Sequence, residues 1–149
     1  MSGGRLISIQ PPHTDNIFSG IKDIEWRHSC LPTGKYYCYE TKNGGGCGKV
    51  VGEFTIWKVR QYEDVSHVCD EFVRRGCVSR KFLEKYCDKN RRIAANFIVR
   101  PIRYDKPKEL SEFKGRTLAW RGNNHVHVYE TIIRPPQSWC YVEGSADNG

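Results

Sequence analysis

One stretch of this chain alone turns with a clear helical period. Val65, Val68, Cys69, Phe72 and Val73 fall at i, i+3, i+4, i+7 and i+8, one face of an amphipathic helix. Asp64 can cap its start and Gly76 its end. Ser79 can cap a second helix with Phe82, Leu83, Tyr86 and Cys87 on its buried side. A short helix is also expected in PPHTDNIFSG, where proline suits the first turn and Gly20 the end. Extended segments surround these: RLISIQ, DIEWRH, KYYCYE, VVGEFTIWKVR and RRIAANFIVRPIRY. RTLAWRG and HVHVYE read as short strands joined by an Asn-rich turn, and RPPQSWCYVEG ends in a last short strand. DKPKELSEF reads as a turn with a helical turn. No βαβ rhythm repeats, so a doubly wound parallel sheet is not expected. The expectation is α+β: a mixed β-barrel of about five or six strands, a short helix after the first strand, and a helical pair packed outside. No linker divides the chain, so a single domain over 1–149 is expected, with its core in 6–143 and flexible ends at 1–4 and 145–149.

A chain of 149 residues can bury one core of ordinary size. It has no apolar run near the roughly 18–20 residues of a membrane helix, and its N-terminal stretch lacks the apolar region of a signal peptide. A cytoplasmic protein with no membrane partner is expected. Seven cysteines, an odd number at irregular spacing, argue against a disulfide framework, and most of them then read as buried thiols. The formal net charge is +7, and twelve Lys and Arg face three acidic residues between Arg74 and Lys108. That bias favours a polyanionic partner, nucleic acid first.

The stretch SGIKDIEWRHSC concentrates the chemistry. In a strand, Ile24 and Trp26 share one face while Asp23, Glu25 and Arg27 share the other. Lys22 enters just after the helix-ending Gly20. With Ile24 and Trp26 turned into the core, the opposite face shows a carboxylate flanked by two cations. From periodicity alone it reads first as the charged outer face of an ordinary strand, with the polar wall of a ligand cleft as the alternative.

The order LISIQPPHTDNIFSGIKDIEWR, KVVGEFTI, RYDKPKELSEF, RPPQSWCYVE resembles the ASCH family, the activating-signal-cointegrator homology domains of the PUA-like superfamily. The likeness is strongest to small stand-alone members found in bacterial and prophage genomes. Gly20, Lys22, Glu25 and Arg27 carry the family's Gly-x-Lys-x-x-Glu-x-Arg pattern, and the match runs from Leu6 to about Glu143. The resemblance implies a pseudo-barrel with a cleft beside the first helix that takes RNA or a modified nucleoside. One branch hydrolyses N4-acylated cytidine with a Lys, a Thr three residues on and a downstream Glu. Here Lys22 is present, Glu25 holds the Thr position, and Glu71 and Glu84 are the downstream candidates. Relatives also carry an aromatic run where this chain has AANFIV, with Ala94, Asn96 and Phe97. Trp26, Trp57, Trp120 or Trp139 could replace it, but most of them are expected in the core.

The expected function is an RNA- or modified-nucleoside-binding module, with Lys22, Glu25, Arg27, Gln137 and Ser138 lining the cleft. Arg74, Arg75, Arg80, Lys81, Arg91 and Arg92 would supply phosphate contacts. Two alternatives stay open. One is an amidohydrolase acting on an acylated base, with Lys22 polarising a carbonyl and Glu25 handling a water proton. The other is a protein-interaction module with a vestigial pocket. No cofactor is expected. No metal is expected either: His28, Cys30, Cys38 and Cys47 include soft ligands, but their gaps exceed those of a zinc knuckle. His125 and His127 share a strand face and read as a polar edge. The glycine-rich loop Gly44–Gly48 lacks the ending of a phosphate-binding loop.

Overall fold

The computed structural model describes residues 3–88 and 92–143. In chain order the elements are β1 (Gly4–Ile9), α1 (His13–Phe18), β2 (Ile24–Arg27), β3 (Gly34–Glu40) and β4 (Lys49–Tyr62). A 3-10 turn at Val65–His67 leads to α2 (Asp70–Arg75), α3 (Arg80–Tyr86) and β5 (Ile93–Lys108). A second 3-10 turn at Leu110–Glu112 precedes β6 (Lys114–Arg121), β7 (Asn124–Thr131) and β8 (Trp139–Val142). Hydrogen bonding orders the strands β2-β5-β4-β3-β1-β8-β6-β7. The α+β class holds, but the described strands number eight rather than five or six.

The chain divides into two compact units. The first takes Met1–Pro11, Lys35–Glu53 and Arg103–Gly149; the second takes Pro12–Gly34 and Phe54–Ile102. In the first unit, β1 pairs in parallel with β3 and antiparallel with β8, and β6 pairs with β7 and β8. Its core gathers Leu6, Tyr37, Val50, Phe113 and Val142. In the second unit, β2 lies antiparallel to β5, from Ile24 opposite Phe97 to Arg27 opposite Ala94. Ile24, Trp26, Val65, Val73, Leu83 and Phe97 belong to its core.

The helical stretch is interrupted. Asp64 does cap its start, its carboxylate accepting from Ser66 N at 2.9 Å, but the turn closes after His67. Val68 is extended, and α2 begins afresh at Asp70. The break costs little because Val65, Val68 and Val73 are buried all the same. Arg80 donates to Val65 O at 3.0 Å and to Val68 O at 2.8 Å, satisfying carbonyls that a continuous helix would have bonded itself. Ser79 caps α3 as expected, accepting from Phe82 N at 3.0 Å. Of that helix's expected buried side, Leu83 is buried, Tyr86 and Cys87 are half-buried, and Phe82 faces out. The residues DKPK continue β5 instead of turning. Arg91, the expected tail at 145–149 and residues 1–2 of the expected flexible start lie outside the described residues; Gly4, expected in that flexible start, is instead buried as the first residue of β1.

Candidate functional site

Lys22, Glu25 and Arg27 meet in the second unit. A tight entry to β2 brings Lys22 inward. Gly20 takes φ of +84°, a left-handed conformation that glycine adopts without steric cost, and so ends α1. Lys22 N then donates to Asn16 O at 2.9 Å, and Asp23 N to Arg75 O at 3.1 Å. This anchoring turns the Lys22 side chain into the protein, where it is only 2% exposed. Its ammonium donates to Gly76 O at 2.6 Å and sits 3.3 Å from Glu25 Oε1.

Glu25 is buried, at 8% exposure, on the face of β2 opposite Ile24 and Trp26. Arg27 reaches Glu25 Oε2 through both Nε and Nη2 at 2.9 Å. The carboxylate is therefore held on both oxygens by cations. Across the ladder Asn96, wholly buried, donates to Glu25 O at 3.1 Å and accepts from Leu31 N at 2.8 Å. It fixes the backbone of β2 and the loop that follows. Burial alone would raise the Glu25 carboxyl, but Arg27 and Lys22 outweigh it and hold it below the usual carboxylate range.

Other groups join the cluster that the sequence did not announce. His13, half-buried in α1, is pushed below the ordinary imidazole value by burial and by Lys22, with Glu25 pulling partly back. The His28 ring stacks on Tyr86, with centroids 3.9 Å apart and planes within 10°. Phe82 continues the stack at 5.9 Å from Tyr86. Burial pushes the Tyr86 phenol up, while its electrostatic coupling to Arg27 and Glu25 ties this ring stack to the charged cluster. Two imidazole nitrogens, His13 Nδ1 and His28 Nδ1, are buried without a hydrogen-bond partner. No spacing pattern in a single sequence marks either histidine, because α3 and the start of α1 meet β2 only in the fold.

The remaining expected residues are placed as follows. Asp23, expected on the same face as Glu25 and Arg27, instead takes Arg75 in a two-point pair at 2.8 and 3.0 Å. Arg80 is committed to Val65 O, Val68 O and Asp70. Arg74 and Lys81 are exposed, and exposed Arg92 lies 3.6 Å from Glu63. Gln137 and Ser138 are exposed in the first unit and belong to that unit's surface. Glu71 and Glu84 are exposed on α2 and α3. Trp26 is core, Trp57 and Trp120 are exposed, and Trp139 packs edge-on to Tyr141. Among the described residues no three His, Cys, Asp or Glu side chains group to hold a metal ion. No described helix is long and apolar enough to cross a membrane.

The depressed Glu25 and His13 groups make a prediction. Each binds its proton more weakly in the folded chain than in the unfolded one, so each contributes stability that is lost as pH falls. The loss should begin below the ordinary histidine value of 6.5 and deepen below the ordinary glutamate value of 4.5. Urea midpoints at about pH 7, 5.5 and 4 should step down twice. Glu25→Gln should flatten the acid step and His13→Gln the earlier one; parallel profiles in all three proteins would refute the assignment.

No family model and no curated protein matches the sequence. Solved structures do. A serine-to-alanine mutant of the ASCH protein from Zymomonas mobilis superposes with a TM-score of 0.68 at 20% identity, covering 94% of this chain and 88% of that one. The unmutated ASCH protein gives 0.66 at 20% identity, covering 94% and 87%. A tyrosine-to-phenylalanine mutant gives 0.66 at 21%, covering 94% and 90%. At this identity the likeness carries architecture rather than chemistry, and it agrees with the motif order in the sequence: the chain has the ASCH-domain fold.

Proposed function

We propose that this protein binds RNA or a modified nucleoside, and that Lys22, Glu25 and Arg27 form the polar contact for a base. One observation carries the reading: a buried carboxylate bracketed by two cations, beside a stacked His28–Tyr86 ring pair. A buried charge cluster is a costly way to build a core, and such clusters concentrate at functional sites. An ammonium has three donors, and Lys22 uses two within the protein. With Lys22 only 2% exposed, a base would meet the cluster at Arg27, whose side chain is 18% exposed, while Lys22 fixes Glu25 from behind. The ring pair supports the reading because it supplies the stacking surface that AANFIV lacks. The ASCH fold is compatible with RNA binding. Arg74, Lys81 and Arg92 remain as phosphate contacts, since Arg75 and Arg80 are committed within the protein. Glu25 is a weak base when held on both oxygens, which sets the hydrolase reading behind binding.

A nucleoside panel including N4-acetylcytidine tests this, followed by calorimetry and by chromatography for product. Binding without product, lost in Lys22→Ala and Arg27→Ala, is the expected result. Product that depends on Lys22 would instead establish the amidohydrolase. For RNA, affinity should fall with salt at a log–log slope of about −0.7 per phosphate contact. Replacing Arg74, Lys81 and Arg92 together should flatten that slope by about 2. Affinity that is already flat in the wild type would sink the phosphate contacts, and silence toward every nucleoside and RNA would leave the protein-partner reading.

A further inference from the structure

We propose that one face of the β6–β7 hairpin docks single-stranded RNA by stacking bases on its aromatic side chains. The ladder register sets Trp120 opposite His125, Leu118 opposite His127 and Arg116 opposite Tyr129. Because strand residues alternate faces, these six side chains share one face of the hairpin. It is an open face: Trp120 is 64% exposed, Leu118 63% and Tyr129 42%, with both histidines exposed as well. The Trp120 and His125 ring centroids lie 3.7 Å apart with their planes tilted by 41°, so the two rings form one aromatic cluster. Arg116 sits with its guanidinium 3.9 Å over the Tyr141 ring.

Large apolar rings gathered in the open mark a contact surface. The charge pattern selects the occupant. From Lys114 to Arg134 there are four Lys and Arg and one acidic residue, Glu130. Glu130 pairs with Gly115, on the opposite face of the ladder. The aromatic face therefore carries cations and no carboxylate. Rings offer π-surface to any base, and cations offer contacts to a phosphate chain, the combination that holds single strands. Trp120 and Tyr129 stand two same-face steps apart, about 13–14 Å along the strands, with Leu118 and His127 between them. That spacing gives room for about three bases. A duplex hides its base faces and has nothing to stack there.

Choosing RNA rests on the function proposed above; the stacking argument is independent of Lys22. The test is fluorescence anisotropy of the full chain with a labelled oligouridylate of about 12 nucleotides, alongside an RNA duplex and an inorganic polyphosphate competitor. Trp120→Ala and Tyr129→Ala should each weaken oligouridylate binding by about 5- to 100-fold. Duplex binding and nucleoside binding should be unchanged, and Trp120→Phe should keep most of the affinity. The proposal is overturned if the wild type does not bind the oligonucleotide, if the two alanine variants bind it equally well, or if polyphosphate displaces it at equal charge. It is also overturned if the variants lose only self-association in sedimentation, which would make the occupant a second copy. Trp120-dependent RNA binding with no nucleoside binding would sink the Lys22 site and leave the hairpin standing; the converse would do the reverse.

Discussion

Glu25→Ala is expected to cost about 3–5 kcal/mol of unfolding free energy, a large share of the roughly 5–15 kcal/mol that holds a domain together. The cost does not measure what the ion pairs are worth. It arises because removing the carboxylate leaves Lys22, 2% exposed, facing Arg27 with no anion between them. Arg27 is 18% exposed at its side chain and can turn toward water. Lys22 has no such route, and its remaining partner is the Gly76 carbonyl. Lys22→Met should cost less, about 1–3 kcal/mol, because Glu25 keeps Arg27 and the main loss is the unpaired Gly76 carbonyl. It follows that the double variant Lys22→Met/Glu25→Ala should be more stable than the sum of the two, by about 0.5–3 kcal/mol. Guanidinium unfolding of the four proteins measures the cycle. A Glu25→Ala cost under about 1 kcal/mol, with no coupling, would mean that water already solvates the cluster and that it is not a buried site.

The sequence carried the secondary structure further than the site. Each of the eight described strands coincides, apart from the DKPK end of β5, with a segment that alternates or is rich in β-branched and aromatic residues. The low expected count came from treating the short C-terminal segments as minor. Alternation also placed Ile24 and Trp26 together in the core, and the order of motifs agreed with the ASCH fold. What alternation could not decide was whether the other face of β2 meets solvent. That depends on Gly76, 54 residues from Lys22, and on Asn96, 71 residues from Glu25. Both are short polar or featureless positions with no signature of their own. His13, His28 and Tyr86 were missed for the same reason: each enters the cluster by packing, not by spacing. The basic run from Arg74 to Arg92 was legible as charge, but not as partners. Arg75 and Arg80 are spent on Asp23 and on carbonyls that the broken helix leaves open.

Gly76→Ala provides the second large effect, and two rules give it opposite signs. Gly76 has φ of −86°, which alanine adopts freely; the left-handed residue at this corner is Cys77, at +57°. Backbone entropy alone would therefore make alanine stabilising by about 0.4–1 kcal/mol. Space argues the other way. A Cβ on Gly76 would fall inside the contact surface of the Trp26 indole, at Cδ1 and Nε1. Trp26 cannot retreat, because it is buried in the second unit's core with its ring 6.1 Å from that of Tyr62. Overpacking of this kind costs about 1–3 kcal/mol, so sterics should win and the variant should be less stable. The same displacement moves the Gly76 carbonyl that receives Lys22, so nucleoside binding should weaken along with stability. Trp26→Phe in the Gly76→Ala background, by shrinking the ring, should recover part of both. A Gly76→Ala protein that is more stable than the wild type would show that the indole is free to shift, and would remove Trp26 as the wall that sets Lys22 in place.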